Sequence, residues 1–188
     1  VLSYAFDDSA KVLEYTVASH DSTKDGVFLR NLSTGVTQAL LTGPGNYRSF
    51  AFDHAQQQFV FASDHDEFGQ KDARSTLYYG TIKGGTAAPV VTASLMPPAM
   101  HLAESGALSF TRSGNAVLFN IAPPAPDSIP ADSLVGKARY DLWNYKDPDL
   151  QPAQKLSVAR DRNRSYEALF NLSTRKMVQL SNDSIPSV

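Results

Sequence analysis

The densest group of polar side chains in the sequence lies in segment 63–72, Ser-Asp-His-Asp-Glu-Phe-Gly-Gln-Lys-Asp. Asp64, Asp66 and Gly69 match positions 1, 3 and 6 of a calcium loop, where closely spaced oxygens suit a hard cation and glycine permits the turn. Position 5 is a phenylalanine, however, and Ser75 stands where the bidentate glutamate belongs. Because these ligands are missing, we interpret the segment as a solvated loop between two strands and assign no metal ligand and no cofactor. Micromolar calcium binding would overturn this interpretation.

Three arginines near the C-terminal third of the chain alternate with polar neighbours: Arg160, Arg162 and Arg164. On a strand, this spacing would place three guanidinium groups on one face, where they could grip a carboxylate or phosphate in a bidentate way. A solvated turn between strands fits the same residues, and we favour it because short charge clusters are usually solvated. The functional alternative is an anchor for a peptide carboxylate or a contact with a neighbouring domain. The candidate binding residues are Arg160, Arg162, Arg164 and Trp143.

The sequence offers no catalytic signature. Its histidines are scattered, without a spacing typical of metal ligands; they are His20, His54, His65 and His101. No Gly-x-Ser-x-Gly nucleophile motif accompanies them, so we assign no catalytic residue. The absence of cysteine excludes disulfides, thiol catalysis, cysteinyl zinc sites and iron–sulfur clusters.

Charge and hydropathy exclude two further classes. Seventeen basic and nineteen acidic residues give a net charge of −2, which lacks the basic bias of a nucleic-acid-binding protein. The longest stretch without Lys, Arg, Asp or Glu, 84–103, contains three prolines and cannot span a bilayer as a helix. The N-terminus has neither a methionine start nor a signal-peptide pattern, so we expect the chain to be a piece of a longer or processed one.

The elements that position these residues are predicted by an internal repeat. Three segments, 5–16, 51–62 and 109–120, each contain an aromatic residue, a polar turn and a short apolar or alternating run, which together indicate a hairpin. Their aromatic residues, Phe6, Phe52 and Phe110, lie 46 and then 58 residues apart. A period of about 40–50 residues is typical of four-stranded propeller blades. A second hairpin follows each of the first two, and no sustained helical period is visible.

The fold prediction is therefore all-β, with β-propeller-type blades of four antiparallel strands, about three blades and an incomplete ring. The predicted blades are 1–48, 49–100 and an elaborated third, 101–188, with an inserted loop at 122–140. Spacing favours a strand at 141–147 over 166–172 as the third strand of that blade. The recurring aromatic residues are predicted to pack between blades; they are Phe6, Phe28, Phe52, Phe59, Phe61, Tyr78, Phe110, Phe119, Trp143 and Phe170.

These repeats resemble the propeller repeats of the prolyl oligopeptidase family of serine peptidases and of Tol-type periplasmic propeller proteins. The turns are degenerate relative to that pattern: Asp-Asp-Ser-Ala at 7–10, Asp-His-Ala-Gln at 53–56 and Thr-Arg-Ser-Gly at 111–114. A more specific likeness is the segment 141–152, Asp-Leu-Trp-Asn-Tyr-Lys-Asp-Pro-Asp-Leu-Gln-Pro, which resembles the start of a blade insertion in certain bacterial members of that family.

The resemblance implies the non-catalytic propeller of a prolyl oligopeptidase-like serine peptidase, which gates peptide access and contacts an α/β-hydrolase domain. The alternative is a protein- or ligand-binding scaffold propeller of Tol-like type with no attached enzyme. A third is a self-contained enzyme with its site on the blade loops. The expected partners are a peptide substrate through the parent enzyme, a hydrolase domain or further blades, and another copy through exposed blade faces. The expected location is periplasmic or secreted.

Overall fold

The structure is a computed structural model that describes residues 1–19, 21–104, 106–124, 135–136, 146, 153 and 163–185. Thirteen strands and three single-turn 3-10 helices, at Ser22–Lys24, His65–Glu67 and Ala93–Leu95, have bounds that lie within these residues. The strands form three antiparallel sheets in which, apart from one two-residue strand of the third sheet, chain order equals spatial order. The all-β prediction with four-stranded blades is confirmed.

Each sheet is a meander. Sheet 1 consists of β1 (Ser3–Phe6), β2 (Val12–Val17), β3 (Gly26–Asn31) and β4 (Thr37–Thr42). Sheet 2 consists of β5 (Tyr47–Phe52), β6 (Gln58–Ser63), β7 (Thr76–Thr81) and β8 (Ala88–Val91). Sheet 3 consists of β10 (Ser109–Phe110), β11 (Ala116–Ala122), β12 (Tyr166–Asn171) and β13 (Lys176–Gln179), and the short β9 (His101–Leu102) also pairs with β11.

The third strand of sheet 3 is β12, so the preference for a strand at 141–147 in that position was wrong. β11 pairs directly with β12 in an unbroken register from Ala116↔Asn171 to Ile121↔Tyr166. The connection between the two strands is therefore residues 123–165, and 141–147 lies within it and, except for residue 146, outside the described residues. The prediction relied on the number of residues between Phe110 and the third strand. That number is a poor guide, because a long insertion between paired strands costs little free energy.

The two faces of each sheet have different contacts, because successive side chains of a strand point to opposite faces. We call the face of sheet 2 that packs against sheet 1 its front face; it consists of Phe50, Phe52, Phe59, Phe61 and Tyr78. It meets the aliphatic face of sheet 1, which includes Val27, Leu29 and Leu40. Burying a side chain such as Phe59 stabilises the fold by about 2 kcal/mol.

The opposite side of sheet 2, its back face, packs on sheet 3. It consists of Ala51, Val60, Ala62, Leu77 and Tyr79. The front face of sheet 3 covers it with residues in the same strand positions as the front face of sheet 2; these are Leu108, Phe110, Val117, Phe119 and Ala168. Sheets 1, 2 and 3 are thus stacked front on back twice. We call the two interfaces seam 1–2 and seam 2–3.

Candidate functional site

The antiparallel meanders give the three sheets two unlike ends. One, the turn end, holds the hairpin turns 7–11, 32–36, 53–57, 82–87, 111–115 and 172–175. The other, the loop end, holds the connections 18–25, 43–46, 64–75, 92–100 and 123–165. Of the described histidines, His65 and His101 belong to the loop end and His54 belongs to the turn end.

Polar side chains at the turn end are used to close the turns. The Asp53 carboxylate accepts hydrogen bonds from the amides of Gln57 and Gln58, both at 2.7 Å. Asp7 does the same for the amides of Lys11 and Val12 in sheet 1. The Asn31 and Asn171 side chains each accept hydrogen bonds from two backbone amides of the turn that follows them, 32–36 and 172–175 respectively. Both Asn-Leu-Ser-Thr segments, at 31–34 and 171–174, are thus strand ends that run into turns.

At the loop end of seam 1–2, a polar group surrounds Tyr47, the first residue of β5. The Tyr47 hydroxyl donates to the carbonyl of Gly43 at 2.7 Å. The Nδ1 atom of His65 lies 2.9 Å from the carbonyl oxygen of Pro44, which can only accept, so Nδ1 carries a proton. Burial, reinforced by the charges of Asp25 and Asp64, raises the pKa of Tyr47 to about 12. Tyr47 is therefore a neutral hydrogen-bond donor at physiological pH.

Tyr78 is the least satisfied polar side chain of this group. It is 2% exposed, and its hydroxyl makes no hydrogen bond with suitable geometry to any described residue. Burial is the main cause that raises its pKa, and the nearby carboxylate of Asp66 adds to the shift. A buried hydroxyl without a partner costs free energy, so this position can accommodate a further hydrogen-bonding group.

Segment 63–72, which has part of the spacing of a calcium loop, lies at the loop end of seam 1–2. Asp64 accepts the backbone amide of Asn46 at 2.6 Å and its side-chain amide at 2.7 Å. Glu67 accepts from the Arg74 amide at 2.9 Å and from the Arg74 guanidinium at 3.2 Å. Among the described residues, no group of three or more His, Cys, Asp or Glu side chains could hold a metal ion.

At the loop end of seam 2–3, an arginine lies close to a histidine. Arg48 follows Tyr47 directly and therefore points to the other face of β5, where its guanidinium donates to the Ser75 hydroxyl at 2.8 Å. His101 of β9 lies nearby: burial is the main cause that lowers its pKa, Arg48 and Arg74 lower it further, and Glu104 opposes them. The described part of the chain pairs no carboxylate with Arg48, so a half-buried guanidinium is left facing the connections.

The structure places one of the candidate binding residues. Arg164 forms an ion pair with Asp183 at 2.9 Å, and Asp183 also accepts from the Tyr166 hydroxyl at 2.6 Å. Arg160, Arg162 and Trp143 lie outside the described residues. The three-arginine face thus stays a prediction.

Sequence reasoning missed Arg48 as a candidate. One signal was available, because Tyr47 and Arg48 begin a strand and so must serve opposite faces. The hydrogen-bond partner of Arg48 could not be read from the sequence, since Ser75 lies in another connection.

No family model matches the chain, and no curated protein matches it in sequence. Among solved structures, TolB from Acinetobacter baumannii is 11% identical with a TM-score of 0.50, and the match covers 98% of this chain and 33% of that one. A putative TolB from Agrobacterium tumefaciens is 12% identical with a TM-score of 0.51, over 96% of this chain and 50% of that one. The tricorn protease is 10% identical with a TM-score of 0.51, over 96% of this chain and 18% of that one.

The chain therefore spans a third to a half of the length of these TolB structures. At such low identity the likeness establishes the fold alone. The three stacked sheets are β-propeller blades, and solved structures with the same fold include both TolB proteins and a protease. The helices of the described residues include none that is long and apolar enough to cross a membrane.

Proposed function

We propose that the chain is the non-catalytic propeller part of a prolyl oligopeptidase-like serine peptidase, exported to the periplasm or secreted, where it gates peptide access and contacts the hydrolase domain. The difference between the two ends of the sheets carries the proposal. At the turn end the acidic and amide side chains are consumed by their own turns. At the loop end, Arg48, His101 and Tyr78 retain binding capacity at the mouths of two neighbouring seams.

The hydrogen-bond acceptors of a peptide are complementary to the donors at the loop end. A peptide carboxylate or carbonyl can accept from the guanidinium of Arg48, and guanidinium–carboxylate contacts are among the stronger hydrogen bonds in proteins. At the adjacent seam the Tyr47 hydroxyl already donates its proton to the Gly43 carbonyl, so the donor left there is the Tyr78 hydroxyl, which stays neutral because burial raises its pKa. Only non-covalent positioning is assigned to these groups.

A binding measurement on the full chain tests the site. Trialanine and its C-terminal amide are titrated by calorimetry into the wild type, Arg48→Gln and the control Arg112→Gln, which changes an exposed arginine at the turn end. We expect trialanine to bind about tenfold more tightly than its amide, as for the loss of one charge-assisted hydrogen bond. We expect Arg48→Gln to abolish that difference and Arg112→Gln to preserve it. Equal affinity of the two peptides for the wild type would contradict the proposal.

A scaffold propeller of Tol-like type with no attached enzyme is the second candidate, favoured by the likeness to two TolB structures. The coding sequence on both sides of the chain discriminates the two. A hydrolase domain with Gly-x-Ser-x-Gly supports the peptidase, whereas further blade repeats without such a domain support the scaffold.

A further inference from the structure

The described residues border a recess of about 440 Å³ at the turn end of sheet 2. Gln58, Tyr79 and Thr81 line it from the back face of that sheet, where Gln58 pairs with Thr81. Gln57 and Lys83 line it from two hairpin turns. A volume of this size is typical of small-molecule sites, which combine apolar walls with a few polar groups.

The polar wall of this recess is peculiar to sheet 2. Gln58 pairs with the last residue of the third strand of its sheet, and Tyr79 lies two residues before that end. Sheets 1 and 3 have aliphatic residues in the equivalent positions. These are Val12 and Ala116 in place of Gln58, and Leu29 and Leu169 in place of Tyr79. Packing between blades therefore does not require an amide and a phenol here.

Hydrogen bonds hold the wall in place. The Tyr79 hydroxyl donates to Oε1 of Gln58 at 2.6 Å. Nε2 of Gln58 donates to the Asp53 carboxylate at 3.1 Å and lies 3.4 Å from the carbonyl oxygen of Gly114. The Asp53 carboxylate is held behind this wall, since the residue is 2% exposed. The Tyr79 ring is thus a fixed part of the recess.

Other lining side chains keep their hydrogen-bonding capacity. Gln57 and Lys83 are exposed, and neither side chain forms a hydrogen bond or an ion pair with a described residue. The Thr81 hydroxyl accepts from the Gly84 amide at 3.0 Å and can still donate its own proton. Among the described residues that line the recess, Lys83 alone is charged.

We propose that this recess binds a sugar acid, a monosaccharide that carries a carboxylate. Its hydroxyls can pair with the Gln57 amide and the Thr81 hydroxyl, which both donate and accept. Its carboxylate can pair with the Lys83 ammonium, and its C–H groups can pack on the Tyr79 ring. The recess lies at the opposite end of the sheets from Arg48, so the proposal does not rest on the peptide site.

Nuclear magnetic resonance titrations of the full chain test the site with glucuronate and glucose. The two sugars differ in one group, a carboxylate in place of a hydroxymethyl. Lys83→Gln removes the positive charge, and Gln57→Ala removes the amide. Lys71→Gln is the matched control, because Lys71 is an exposed lysine at the loop end. All three residues are exposed, and unchanged resonances elsewhere in each variant check the fold.

We expect both sugars to shift the backbone amide resonances of Gln57 and Lys83. Glucuronate should bind about three- to fivefold more tightly than glucose, as for one exposed ion pair. Salt at about 1 M should remove that preference, because the Debye length falls to about 3 Å. Lys83→Gln should abolish the preference and Lys71→Gln should keep it. Gln57→Ala should weaken both sugars by about threefold or more, as for one lost hydrogen bond.

Three results would overturn the proposal: no resonance shifts at the recess, equal affinity of the wild type for both sugars, or a preference that survives Lys83→Gln. The first would show that the recess binds neither sugar. The second and third would show that Lys83 does not recognise the carboxylate. None of these results changes the outcome of the trialanine titration, because the two experiments vary different residues.

Discussion

Glu14 and Val60 occupy the same position in successive sheets, each eight residues after the aromatic residue of its repeat. Both are buried, at 1% and 0% exposure, on the back faces of sheets 1 and 2. One seam therefore contains a carboxyl group where the next contains an isopropyl group. The Thr16 hydroxyl donates to Glu14 at 3.0 Å and is its one side-chain hydrogen bond among the described residues.

The pH dependence of stability follows from this position. Burial raises the pKa of Glu14 to about 7, and the Thr16 hydrogen bond only partly offsets that shift. The folded chain holds this proton where the unfolded chain has lost it, so the Glu14 contribution to stability falls as pH rises from about 4.5 to about 7. We expect Glu14→Gln to remove this pH dependence. Above pH 7 the free energy of unfolding of the variant should exceed that of the wild type by about 2–3 kcal/mol.

The measurement is urea unfolding of wild type and Glu14→Gln at several pH values, and the quantity that matters is the difference between them. Glu67→Gln is the control, because the hydrogen bonds from Arg74 lower the pKa of Glu67 and place its titration below this window. A difference that is constant from pH 4.5 to pH 7 would show that Glu14 titrates normally.

Removal of the hydroxyl should change the stability of the chain differently at the two tyrosines of seam 1–2. The Tyr78 hydroxyl has no partner among the described residues, so Tyr78→Phe should leave stability unchanged or raise it by up to about 1 kcal/mol. Tyr47→Phe loses the hydrogen bond to Gly43 and should cost about 1 kcal/mol. Thermal unfolding of both variants decides the matter, and an equal loss in both would show that Tyr78 has a partner.

The hairpin turns contain a backbone conformation that suits glycine. The fourth residue of each turn has a positive φ: 51° at Ala10, 56° at Gln56 and 71° at Gly114. Only the third of these positions is glycine, so Ala10→Gly should stabilise the chain by about 0.5–1 kcal/mol.

The opposite change, Gly114→Ala, should destabilise the chain by about 1 kcal/mol or more. Ala88→Gly provides the matched control, since it removes the same methyl group from an extended strand position and should be destabilising. Denaturant midpoints measure all three variants. A loss of stability in Ala10→Gly would argue against the left-handed turn.

Gly80 is required for a different reason, the close approach of an aromatic ring. A Cβ atom at Gly80 would lie 2.4 Å from the Phe59 ring and 2.9 Å from the Thr86 carbonyl oxygen. Neither neighbour can easily move, so Gly80→Ala should cost about 1–3 kcal/mol. Calorimetric unfolding tests this. A wild-type melting temperature would mean that the ring moves freely.

The sequence predicted those parts of the fold that depend on local pattern. The turns after Phe6, Phe52 and Phe110 and the alternation along β6 indicated four-stranded sheets, because both signals lie within one hairpin. Phe59, Phe61 and Phe170 are buried between blades as expected. Phe6 is not, because the side chains that would cover it must come from another sheet.

The candidate site was less accessible to sequence reasoning. Arg48 and Ser75 are separated by 27 positions, and they meet only because β5 and β7 flank the same central strand. His101, in the short strand β9, is close enough for the charge of Arg48 to lower its pKa. No spacing rule relates such residues, so their contact became visible only with the fold.

The long connection between β11 and β12 also sets an order for folding. The corresponding connections contain eight residues in sheet 1 and twelve in sheet 2, against forty-three in sheet 3. Closing the longest loop costs about 1.5 kcal/mol more conformational entropy than closing the shortest. Pairing of β11 with β12 should therefore be slower than pairing of β2 with β3 or of β6 with β7. Val60 and Leu77 on the back face of sheet 2 should then already be in place when sheet 3 packs on them.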